Sequence, residues 1–251
     1  MNKKWGKGVG MTFSGPALWL VAGMLLIQVP SARAASVCDG DGVNIDLGGT
    51  NPIPVRDQDK DKNTGDCTAQ AGECVLDIWL KSNKVKHPWV NRGDIWNAEN
   101  PQAEPPDAGF VPNMAKALQA GMDARNKAAA AAAAKAHGPA KPGNPPPAFT
   151  FQSYKDCAAA VEGQLGQDPP QAAYLNIPGS DLKAGLKGNH AIPVVGCSTD
   201  KSGVVQWKLH NSWGDNCGGM ANCDGHGNIT LPGSTFAGAG CNLAAGLVPK
   251  K

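Results

Sequence analysis

The stretch from His190 to Gly214, HAIPVVGCSTDKSGVVQWKLHNSWG, limits what this chain can fold into more than any other. Two short apolar runs, Ile192 to Val195 and Val204 to Leu209, flank turn-forming residues at Thr199 to Gly203. Runs of that length around such a turn predict a β-hairpin. An antiparallel pair brings its two outer ends together, so His190 at the start of the first strand and Asn211 at the end of the second are expected side by side. A histidine beside a strand is by itself most often structural. With an amide at its flank it has the arrangement of a base and its orienter.

Upstream, the chain repeats a Gly-acid-Cys pattern at Gly65-Asp66-Cys67 and Gly72-Glu73-Cys74. Thr68, Ala71, Val75, Leu76 and Trp79 recur mostly at three- and four-residue intervals, which predicts a helix with one apolar face that stops at Ser82-Asn83. Cys67 at its start faces unpaired backbone N–H groups and the positive end of the helix dipole, and both favour a thiolate. Cys74 falls in the second or third turn, where the backbone donors are already used. It is expected to be a disulfide half or a packed thiol.

Gly188-Asn189-His190-Ala191 and Trp207-Lys208-Leu209-His210-Asn211-Ser212-Trp213-Gly214 resemble the histidine and asparagine motifs of papain-like cysteine peptidases. Pro54-Val55-Arg56-Asp57-Gln58 and Gly65-Asp66-Cys67-Thr68-Ala69-Gln70-Ala71 resemble the glutamine and cysteine motifs of that family, in the Cys-Thr-Ala form of exported bacterial members. Gly227 to Pro232 resembles the strand that follows the asparagine motif, and Gly240 to Leu243 the Cys-Gly-Leu near the family's C-terminus. Two departures are visible: a longer gap between Gln58 and Cys67, and a loop at Asp215 to Gly225 that carries two cysteines. Cys67 lies roughly 120 residues ahead of His190 and roughly 145 ahead of Asn211, near the separations of the papain type.

The resemblance implies an α+β, papain-like two-lobed fold, with a helical lobe carrying Cys67 and an antiparallel β lobe carrying His190 and Asn211. It implies Cys67 as nucleophile, His190 as acid and base, Asn211 as orienter of the imidazole, Trp213 as a shield over the His–Asn contact and Gln58 as an oxyanion-hole amide. The reaction implied is hydrolysis of a peptide bond in a protein or peptide substrate through a Cys67 thioester, with no cofactor and no metal. A transpeptidase or an amidase acting on cell-wall peptides uses the same skeleton, and a catalytically silent binding protein of the same fold is a third reading. Cys217, Cys223 and His226 come nearest to zinc spacing without matching it.

The head of the chain has Lys3, Lys4 and Lys7, then an apolar run from about Ala17 to Val29, then Ser31-Ala32-Arg33-Ala34. That order is expected of a secretory signal peptide over residues 1–34, cleaved after Ala34, which leaves no stable membrane span and a periplasmic or secreted domain over 35–251. About twenty residues between Ala34 and Pro54 are too few for a folded inhibitory propeptide. All eight cysteines lie beyond Ala34, and an exported chain of this kind is expected to form disulfides. If one cysteine is a nucleophile, at least one more stays unbridged. Cys217 and Cys223 are expected to pair, because they bracket a short Gly-rich loop. A net charge of +2 with scattered lysines gives no nucleic-acid footprint. Asn113 to His137 reads as a helix ending in an alanine run, Ala128 to Ala134, and the proline-rich residues to Pro147 cannot continue it. Residues 97–147 read as an insertion between the two lobes that could act as a lid, an arm that docks a protein partner, or a spacer. Ser153 to Leu165 is expected to be helical and Ala172 to Ile177 a strand.

Overall fold

The computed structural model describes residues 37–39, 43–48, 53–57, 66–85, 90–99, 114–137, 147–184, 188–236 and 241–250. All lie in one compact unit, Ala35–Lys251. The signal-peptide expectation and Gln58 fall outside the described residues.

Helix α1 spans Cys67–Ser82, as the periodicity predicts, and Asn83 ends it by returning its backbone N–H and its side-chain Nδ2 to Trp79 O. Its burial differs from expectation: every residue from Thr68 to Leu80 is buried, not one face. Elements pack on both sides of it. The helices α2 (Arg92–Glu99) and α3 (Met114–His137) cover one side. Gly72 is what lets them close in, since a Cβ there would sit 3.0 Å from Leu118 and 3.2 Å from the Met114 sulfur. A sheet covers the other side, and the polar residues Gln70, Glu73 and Asp77 are thereby carried inside.

The sheet has seven antiparallel strands: β1 (Asn44–Asp46), β2 (Phe149–Tyr154), β3 (Ala173–Pro178), β4 (Asn189–Thr199), β5 (Val205–His210), β6 (Asn228–Pro232) and β7 (Leu243–Pro249). The order is β2-β7-β3-β4-β5-β6, with β1 also on β4. The hairpin read from the sequence is β4 and β5. Asp200 closes its turn by accepting from Ser202 N and Val204 N, and the register shifts between Val194 and Gly196, a β-bulge. Strands β3 and β4 are buried on both faces. Tyr174, Ala191 and Val195 join the core under α1, while Leu175, Ile177, Ile192 and Val194 join a second core with α4 (Cys157–Leu165). Burial on both faces is why these strands read as continuous apolar runs without alternation.

One expectation needs correction. Ser153 and Tyr154 belong to β2, not to a helix: Phe149 and Phe151 alternate with polar Thr150 and Gln152, and the helix starts only at Cys157, where Asp156 caps it by accepting from Ala159 N at 2.7 Å. Within residues 97–147, part of the chain belongs to the core. Met114, Ala117, Leu118 and Met122 are core residues against α1, and the exposed part of α3 begins at Asp123. Trp96 is likewise a core residue.

Three disulfides are present: Cys38–Cys197, Cys157–Cys241 and the expected Cys217–Cys223. They suit an oxidising, extracellular environment. Cys67 and Cys74 are outside them, and Cys74 is a packed thiol. Among the described residues no helix is long and apolar enough to cross a membrane.

Candidate active site

Cys67 is the first residue of α1 and is half-buried at the rim of the core that holds Ala191, the neighbour of His190. The preceding Asp66 is a buried carboxylate, which would repel a thiolate if left alone. It is not alone: Gln70 Nε2 donates to Asp66 Oδ1 at 2.6 Å and Arg92 Nε lies 3.5 Å from Oδ2. The α1 dipole and Arg92 thus counter the charge of Asp66 next to the sulfur.

His190 sits on β4 opposite Ile177 of β3 and is only 4% exposed. Its Nε2 lies 3.1 Å from Asn211 Oδ1. A carbonyl oxygen only accepts, so this bond assigns the proton to Nε2 and leaves Nδ1 of the neutral ring able to take one. Trp213 packs its ring on the imidazole with centroids 4.5 Å apart. The structure therefore brings His190, Asn211 and Trp213 together. Burial pushes the His190 imidazole down to about 4, with the Asn211 bond pulling the other way.

The Asn211–Gly214 segment is held from two directions. Asn211 N–H donates to Gly227 O at 2.7 Å, Ser212 N–H to Asn211 Oδ1 at 2.8 Å and Gly214 N–H to Arg56 O at 2.7 Å, and Trp213 forms a β-bridge with Asp57. Gly214 has φ +74°, and a Cβ there would meet Asp57 Oδ2 at 2.8 Å. The asparagine motif and the segment leading to Gln58 are thus laced together. Gln58 itself lies just past the last described residue of that segment.

Several polar residues around the site were not singled out in the sequence. Arg56 makes a two-pronged ion pair with Glu73 of α1, through Nε to Oε2 at 3.0 Å and Nη2 to Oε1. Burial raises the Glu73 carboxyl against the pull of Arg56. Asp77 is fully buried and pushed up to about 8 by desolvation, although it accepts from Val90 N at 2.9 Å. Burial also holds the Cys74 thiol well above its usual value, so it is neutral at pH 7. His210 joins Asn228 Oδ1 at 2.8 Å to Pro54 O at 3.2 Å; burial lowers it more than these bonds raise it. The spacing of Gln70, Glu73 and Asp77 at three, four and seven residues was the readable signal for one helix face.

No protein-family model matches the chain, and no curated protein sequence does. Solved structures do match in shape. The Amb a 11 cysteine protease, a major ragweed pollen allergen, in its proform has a TM-score of 0.55 at 17% identity, over 88% of this chain and 69% of that one. Recombinant stem bromelain precursor has 0.52 at 17%, over 82% and 70%. The bromelain protease from Ananas comosus has 0.50 at 13%, over 82% and 99%. At these identities the likeness is one of fold: the chain has the α+β, two-lobed papain-like fold.

Proposed function

We propose that the protein is an exported cysteine peptidase that hydrolyses peptide bonds through a thioester on Cys67. The observation that carries this reading is the buried His190–Asn211 bond under Trp213, in a papain-like fold whose central helix begins with Cys67. The Cys67 thiolate attacks the amide carbonyl and forms a carbon–sulfur bond. His190 as imidazolium gives its proton to the departing amine as the carbon–nitrogen bond breaks, then takes a proton from the water that cleaves the thioester. Asn211 keeps the ring in one tautomer and Trp213 keeps water from that bond. Gln58 and the Cys67 backbone N–H are assigned to the oxyanion, each donor being worth about 3 kcal/mol. Export rests on residues 1–34 and is supported by the three disulfides.

The test is labelling of the purified mature protein under mild reduction with an epoxide or iodoacetamide probe, mapped by mass spectrometry. Fast labelling confined to Cys67 and lost in His190→Ala is expected, together with digestion of casein. Slow labelling, or labelling of Cys74, would remove the enzyme reading in favour of a silent binding protein. Activity on purified peptidoglycan without activity on casein would move the assignment to a cell-wall amidase or transpeptidase.

A further inference from the structure

Behind Asn211 lies a small cavity that neither Cys67 nor His190 lines. Its wall is formed by Gln70, Glu73, Cys74 and Asp77 of α1 on one side and His210 and Asn211 on the other. Three of these residues present a polar atom with no partner among the described residues: Asn211 Nδ2, Gln70 Oε1 and Asp77 Oδ2. All three residues are at least 95% buried.

In each of the three, one end of the side chain is committed elsewhere. Asn211 Oδ1 accepts from Ser212 N–H and His190, and since Ser212 N–H can only donate, the NH₂ end is the one left over. Gln70 spends its amide on Asp66, and Asp77 spends Oδ1 on Val90 N–H. With its carboxyl pushed up to about 8 and Oδ1 taken by Val90 N–H, Asp77 carries its proton on Oδ2, so the leftover set is two donors and one acceptor. The donors disfavour a cation and the acceptor disfavours an anion, while the Arg56 guanidinium on the wall is paired with Glu73. A molecule that both donates and accepts fits this set. The cavity offers about 10 Å³ for the centre of a water molecule, the room that one water needs.

We propose that this cavity holds an ordered water that accepts from Asn211 Nδ2 and from the Asp77 Oδ2 hydroxyl and donates to Gln70 Oε1. The water ties Asn211, on the sheet side, to the helix that begins with Cys67. Gln70 and Asp77 are then positioning residues for His190 through Asn211, a step that rests on the peptidase reading, whereas the water itself does not.

The experiment is a high-resolution crystal structure of the mature protein with Cys67 alkylated, paired with kinetics of Asp77→Ala and Asp77→Asn. Asp77→Ala removes the donor to the water, whereas Asp77→Asn keeps an acceptor for Val90 N–H and a donor in place of the protonated oxygen. The expected results are an ordered water within hydrogen-bond reach of Asn211 Nδ2 and of Gln70 Oε1 or Asp77 Oδ2, and in Asp77→Ala a kcat lowered roughly tenfold at unchanged KM, with the Cys67 labelling rate falling alongside and both restored in Asp77→Asn. A dry cavity in a protein that cleaves casein overturns the water and leaves the peptidase standing. A water present in a protein whose Cys67 is inert overturns the peptidase and leaves the water standing. If the water is present and kcat and labelling in Asp77→Ala match the parent, the positioning role is wrong.

Discussion

His190 is buried where its own charge is disfavoured, and its ring would be neutral at pH 7 if burial and the Asn211 bond were all that acted on it. The proposed chemistry needs an imidazolium, and the group that can supply the opposing charge is the Cys67 thiolate, since an opposite charge nearby favours the protonated ring. Each side chain then depends on the other for its ionisation. Removing the sulfur should expose this dependence. In Cys67→Ala, NMR titration of the His190 ring is expected to give a pKa near 4, while in the intact, reduced protein the same ring stays protonated through neutral pH. Identical titrations in the two proteins would mean that no thiolate–imidazolium pair forms. A difference of one pH unit corresponds to about 1.4 kcal/mol of coupling between the two groups.

Among the elements, α3 separates most clearly what packs from what does not. Its first turns carry Leu118, fully buried against α1, and its later turns are exposed alanine. Leu118→Ala is therefore expected to destabilise the protein by about 2–5 kcal/mol, and Ala130→Gly by no more than about 1, both read from denaturant midpoints. Equal, small effects would return the whole helix to the status of an appendage. The same contrast explains what was legible beforehand. The β4–β5 hairpin and α1 announce themselves through turn residues and helical spacing, and they place His190, Asn211 and Cys67. Strand β7, LAAGLVP, has small residues and no alternation because it lies between β2 and β3, so nothing local marks it. The Cys38–Cys197 and Cys157–Cys241 pairings depend on which strands come together and have no local signal at all. The acidic residues of α1 look like a solvent face because sequence spacing cannot say that a sheet will cover them.

For the molecule as a whole, the buried ionisable groups set opposing dependences on pH. His190, and His210 in the same direction, have folded pKa values below the unfolded one, so the unfolded chain binds more protons and stability rises with pH from about 4 to 6.5. Asp77 is raised, so the folded protein binds the extra proton and stability falls as pH climbs from about 4 to 8. Glu73 adds to this fall, and Cys74 extends it above about 9. Between pH 6.5 and 8 only the fall remains, worth about 2 kcal/mol. With Cys67 alkylated, Tm is expected to drop over that interval in the parent and to stay level in Asp77→Asn; a rise in the parent would contradict the protonated state of Asp77. The disulfide pattern carries a different consequence, for how such a protein is made. Cys38 must wait for a partner 159 residues further along the chain, while Cys67 and Cys74 reach the far side of a membrane much sooner. Short loops close at lower entropic cost than long ones. In a chain exported as proposed, the first bonds that a disulfide oxidant of that compartment can close at Cys38 are therefore those to Cys67 or Cys74, two electrons passing to the oxidant, and attack of the Cys197 thiolate on Cys38 later releases that thiol and moves the bond to its final place.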